Sequence, residues 1–193
     1  MDLTEDSLEV KTARSKKMML WFGIISMVMT FAGLTSAYVV SKNRPDWLNE
    51  FELPQSFLWS TIVILLSSGT LYLAKKSILQ NKRKNASALL VGTLILAVLF
   101  VLFQFYSFSE IISNGYYFTG SESSITTSFI YILVVVHLIH LMAGIIVLLV
   151  LIYNHFKQRY QAGQMLGFEL GATFWHFVDF LWLYLILFLY FFR

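Results

Sequence analysis

Five uninterrupted apolar stretches, at 18–40, 57–74, 86–109, 125–153 and 170–192, constrain this chain more than any other feature. Each is long enough to cross a hydrocarbon core of about 30 Å at about 1.5 Å of helix rise per residue. Lipid offers the backbone no hydrogen-bond partners, so an apolar run of this length must be a helix. A barrel would instead need short strands of alternating polarity. The fourth stretch is the longest and is expected to tilt or to extend past the membrane. The expected fold class is therefore all-α, a polytopic membrane bundle of five transmembrane helices. Residues 1–17 form a polar, mixed-charge segment ahead of a membrane domain at 18–193. The first apolar stretch is too long for a signal-peptide core and no small-residue cleavage pattern follows it, so it reads as a retained helix.

The basic residues set the orientation. Lys11, Arg14, Lys16 and Lys17 precede the first stretch, and Lys75, Lys76, Lys82, Arg83 and Lys84 follow the second. Lys157 and Arg159 follow the fourth, so 11 of the 14 basic residues share one side. Lys42, Arg44 and Arg193 lie on the other. By the positive-inside rule the N-terminus is cytoplasmic and the C-terminus outside.

Composition narrows the chemistry. Charged residues make up 13% of the chain, against about 25% in a soluble domain, and 58% are hydrophobic. With no Cys, the chain has no disulfide, thiolate-bound metal, iron–sulfur cluster or thioether-linked haem. A net charge of +3 gives no sign of nucleic-acid binding. Pro45 and Pro54 both fall in the first outside loop. Gly23, Gly33, Ser67, Ser68, Gly69, Gly92, Gly144 and Gly171 are expected at close helix contacts, as small residues are in lipid.

Ionisable groups inside a bilayer are costly, so each is a candidate for function. His137 and His140 are three apart on the fourth stretch and share a face. The fifth carries Glu169, His176 two turns on and Asp179 three residues further. His155 ends the fourth stretch in a basic loop. One haem could be assembled from these histidines, as in a single-haem b-type cytochrome, but the four ligands of a two-haem site could not. A hydrogen-bonded carboxylate–histidine pair is the stronger expectation. By helix rise, Asp179 lies roughly 14 Å and His140 roughly 20 Å from the cytoplasmic side, which lets Asp179 bond His140 or its own neighbour His176. A complete proton relay is not expected, because 181–192 holds no Asp, Glu, His, Lys or Arg. A small transporter is disfavoured by the lack of an inverted repeat or a broken helix pair.

The run Gly167-Phe168-Glu169, followed by Trp175-His176-Phe177-Val178-Asp179 and Trp182, resembles the C-terminal signature of cytochrome c oxidase subunit III. His137, His140 and Gly144 are similar to that family's HxxH helix, the 66–77 segment resembles a further family pattern, and Gln104 matches a family glutamine. The resemblance covers nearly the whole chain. It departs from the family in having five helices where many members have seven. Met27 stands where a buried glutamate follows a serine, Ser107 replaces another glutamate, and Val135 and Leu138 replace glycines.

The resemblance implies a subunit with no haem, copper or metal site of its own. Such a subunit packs on the oxidase's catalytic subunit I and other oxidase subunits, binds phospholipid, and supports proton uptake and turnover stability. It implies a multi-pass protein of the bacterial cytoplasmic (inner) membrane. His137, His140, Glu169, His176 and Asp179 are then structural, lipid-adjacent or proton-related rather than catalytic.

Overall fold

A computed structural model of the chain describes residues 8–44, 47–48, 54–118, 120, 124–160 and 165–192, with Glu9 described only in its backbone. Five helices follow one another: α1 (Leu8–Ser41), α2 (Ser56–Leu79), α3 (Arg83–Ser113), α4 (Ile125–Phe156) and α5 (Leu166–Phe191). All five are long and apolar enough to cross a membrane. They outrun the apolar stretches chiefly at the basic ends. α1 starts ten residues before Met18, and α2 continues through Lys75 and Lys76. Lys and Arg are good helix formers, so a change of solvent from lipid to headgroup does not end the helix.

Local chemistry explains the ends. α2 closes on Asn81, whose φ of 58° is tolerated by Asn, and Lys82 turns straight into α3. α3 stops at Gly115, φ 85°, where a left-handed residue redirects the chain. α4 opens on a capping box in which Ser124 and Thr127 satisfy each other's backbone N–H groups.

Helices α2, α3, α4 and α5 close into a four-membered ring, each touching its two neighbours, and α1 lies in the groove between α4 and α5. The core of the ring is Ile64, Leu71, Leu90, Phe100, Leu141, Trp175 and Trp182, all essentially inaccessible. At the other end, Tyr38, Trp47, Phe129 and Phe188 form an aromatic cluster with ring centroids 4.8–6.0 Å apart. It seats α1 against α4 and α5.

The small residues divide into two groups. A Cβ on Gly171 would meet Leu151 at 2.9 Å, and one on Gly144 would meet Trp175 at 3.3 Å. These two permit the close α4–α5 approach. Gly23, Gly33, Gly69 and Gly92 have open space where a Cβ would stand, so the expected close contact is not made there. Sequence pattern could not separate the groups, because the choice depends on how each helix is rotated.

Candidate functional site: a hydroxyl spine and two buried titratable groups

Helix α2 carries hydroxyls at 56, 60, 61, 67, 68 and 70, and almost every one reaches another helix. Trp175 donates its indole N–H to Ser67 at 2.9 Å, and Trp182 donates its own to Thr61 at 3.0 Å. Ser68 is bonded to His176 Nδ1. Towards α3, Gln104 donates to Ser60 at 3.0 Å, Thr70 meets Thr93 at 2.8 Å, and Ser56 donates to Glu110 Oε2 at 2.8 Å. Lys75 pairs with Glu169 at 3.4 Å. At about 0.6 kcal/mol for an average interhelical bond in a membrane, these seven contribute roughly 4 kcal/mol together.

The signature residues of α5 are thus mostly ties to α2. Trp175, His176, Trp182 and Glu169 each hold one of its side chains. Phe168 and Val178 are buried core, Gly167 leaves room for the Tyr160 ring, and Phe177 lines a groove against Val28 and Phe31 of α1. Of the stripe Glu169, His176 and Asp179, only Asp179 is buried; His176 is half-buried and the Glu169 side chain is 43% exposed, both on a cleft beside α1 and α2.

The four histidines go separate ways. His155 Nε2 meets Ser87 at 2.9 Å. His140 Nδ1 bonds the Val136 carbonyl of its own helix at 2.7 Å, and its ring lies edge-on to Phe31, 5.6 Å away. His137 is fully buried between Phe100 and Trp182, with both nitrogens unpartnered. Among the described residues, no three His, Asp or Glu side chains are placed to hold one metal ion.

Asp179 corrects one expectation. It is 1% exposed, and neither carboxylate oxygen meets a group in hydrogen-bonding geometry, histidine included. Gly144 beside Trp175 and His137 beside Trp182 put His140 level with Asp179 on the antiparallel helices. Rotation of α4 defeats the pair, because it aims His140 at α1 while His176 turns to Ser68.

Ser56, Ser60, Thr61, Thr70, Lys75 and Glu110 were missed as site residues. A lone hydroxyl in an apolar helix reads as packing. Only the spacing of 56, 60 and 67 (i, i+4, i+11), repeated by 61 and 68 seven apart, hinted at one polar stripe.

These features define a class: a multi-pass membrane bundle tied together by interior polar contacts along one helix face. Comparison with known proteins makes it specific. The profile of the family "Cytochrome c oxidase subunit III" matches residues 10–193. Cytochrome c oxidase subunit 3 of Loxodonta africana is 34% identical over 183 residues, 86% of this chain and 66% of that protein. The Oryctolagus cuniculus protein of the same name is 33% identical over 178 residues, covering 84% and 64%. That of Pyricularia grisea is 36% identical over 144 residues, covering 75% and 50%. The chain spans no more than about two thirds of the length of these relatives. It belongs to the cytochrome c oxidase subunit III family.

Proposed function

We propose that this chain is a non-redox subunit of a proton-pumping haem–copper terminal oxidase in aerobic respiration, with haem and copper held by partner subunits. The observation that carries this reading is the use made of the family signature. Trp175, His176, Trp182 and Glu169 are committed to α2, so the motif builds a rigid bundle rather than a cofactor pocket.

Its partner is the catalytic subunit I, with other oxidase subunits beside it. In support, among the described helices α1 packs on α4 and α5 alone, and its other face exposes Gly23, Ser26, Thr30, Gly33 and Ala37. That stripe of small residues suits close approach by another membrane helix. Phospholipid binding is supported by a cleft of about 520 Å³ between α1, α4 and α5, with Lys16, Asn154 and Tyr160 at its polar end and aliphatic walls below. Basic loops beside it attract anionic headgroups. The basic asymmetry favours a cytoplasmic N-terminus, and we assign the chain to the bacterial cytoplasmic membrane. In the complex the chain stabilises turnover and proton uptake by the catalytic subunit.

Affinity purification of the tagged chain from aerobically grown membranes tests the reading. Recovery with a polypeptide bearing haem and copper, in constant ratio through a second column, is expected. Recovery alone after mild extraction, with a haem–copper oxidase intact in the flow-through, overturns it.

A further inference from the structure

Helices α1 and α2 both pack on α5 but, among the described residues, not on each other, and a cleft of about 390 Å³ opens between the three. Lys17 lines it from α1, Lys75 from α2, and Glu169 and His176 from α5. Lys17 directly precedes the first apolar stretch and Lys75 directly follows the second, so both ammonium groups stand at one membrane edge. Lys75 shares Glu169 at 3.4 Å, and Lys17 has no ion-pair partner among the described residues. Two lysines and one carboxylate leave a single positive charge to be matched. His176 Nδ1 is taken by Ser68, which leaves Nε2 for a ligand. Further along α5 the cleft gives way to an apolar groove of about 280 Å³, lined by Val28, Ala32, Phe177, Phe180 and Tyr184 among others. Register joins the two into one channel. Lys17, Trp21, Val28 and Ala32 fall within about 60° of one another around α1, as do Thr173, Phe177, Phe180 and Tyr184 around α5. From Lys17 to Ala32 the channel runs about 22 Å, enough to cross one leaflet of a hydrocarbon core about 30 Å thick.

We propose that this channel binds one monoanionic glycerophospholipid, its phosphodiester held between Lys17 and Lys75 and one acyl chain laid along Val28, Ala32, Phe177 and Phe180. A phosphodiester carries one negative charge and two non-bridging oxygens, one for each lysine. The uncharged rest of the headgroup meets His176 Nε2 and the exposed Thr173 hydroxyl. An ethanolamine or choline headgroup would instead bring a cation to a cleft whose one carboxylate already pairs with Lys75. A free phosphate would leave the apolar groove unfilled. A partner helix, about 10–12 Å across, would cap the groove without entering it. The small residues that suit such a helix, Gly23, Ser26 and Gly33, lie on the opposite side of α1. The bound lipid joins two helices that do not touch. This site is separate from the cleft of about 520 Å³ beside Lys16, since Leu20 and Leu170 line both and stand between them.

The inference uses the membrane location of the chain and no part of the oxidase assignment. Native mass spectrometry of the delipidated full chain, titrated with phosphatidylglycerol, phosphatidylethanolamine or phosphatidylcholine, tests it. One site is expected to prefer phosphatidylglycerol at least tenfold over the two zwitterionic lipids. Lys17→Gln and Lys75→Gln should each weaken that site at least fivefold. Lys16→Gln, which removes the same charge beside the other cleft, should leave it unchanged, and sn-glycerol 3-phosphate should not displace the lipid. Equal affinity for the three lipids, displacement by glycerol phosphate, or a loss in Lys16→Gln that Lys17→Gln does not show overturns the site. The last result would still leave lipid binding at the cleft beside Lys16. In the native complex, p-benzoylphenylalanine in place of Ala32 should photo-crosslink to a phospholipid, read as the mass of the adduct. A crosslink to another polypeptide instead would make the groove a protein interface and overturn the proposal.

Discussion

The indole nitrogen of Trp175 lies 2.9 Å from the hydroxyl of Ser67, two fully buried partners 108 residues apart. A lost hydroxyl would leave that N–H unpaired in the core, which costs more than the bond itself is worth. Ser67→Ala is therefore expected to lower stability by about 1–2 kcal/mol. In a double-mutant cycle with Trp175→Phe the coupling should reach about 0.6–1.7 kcal/mol. Unfolding in mixed micelles measures both.

The glycines give a contrast within one residue type. Gly171→Val is expected to cost about 1–3 kcal/mol, because even a Cβ there stands 2.9 Å from Leu151. Gly69→Ala and Gly92→Ala meet nothing and gain helix propensity, so they should be neutral or slightly stabilising. The same unfolding assay ranks the three.

His137 fills an aromatic slot with two unpartnered nitrogens. His137→Phe keeps the ring against Phe100 and Trp182 and removes the unpaired polar atoms. Its stability should change by no more than about 1 kcal/mol, on the favourable side. A loss of several kcal/mol would mean that His137 holds a partner in the assembled membrane protein.

Much of this was legible in the residue pattern, and the illegible part has one physical cause. Apolar runs near 20 residues leave no choice but helix, so all five elements were readable, although the Lys-bearing turns at their basic ends were not. That Asp179 is buried in the bundle agrees with its apolar neighbours in sequence, whereas Glu169 and His176, on the same stripe, stand on an open cleft. Which group meets which did not follow, because that depends on the rotation of one helix against another. Ser67 looked like a spacer and is an acceptor for Trp175. His140 stood at the right depth for Asp179 and faces Phe31 instead.

The chain has no native Cys, so topology can be read on a clean background. Single cysteines at Gln80, in the α2–α3 turn, and at Asn114, past the end of α3, lie at opposite ends of one helix. An impermeant maleimide should label Asn114→Cys from outside intact cells and Gln80→Cys only after lysis. Labelling of both from one side would contradict the five-span arrangement.

The central claim is that the α5 signature builds a scaffold and that the redox centres lie in other subunits. The absorption spectrum of the purified complex, recorded before and after this chain is stripped away by detergent, tests it most directly. Haem absorbance and copper should stay wholly with the remaining subunits, and the separated chain should show no Soret band. Stoichiometric haem leaving with this chain, and lost from it on His176→Ala, would contradict the account.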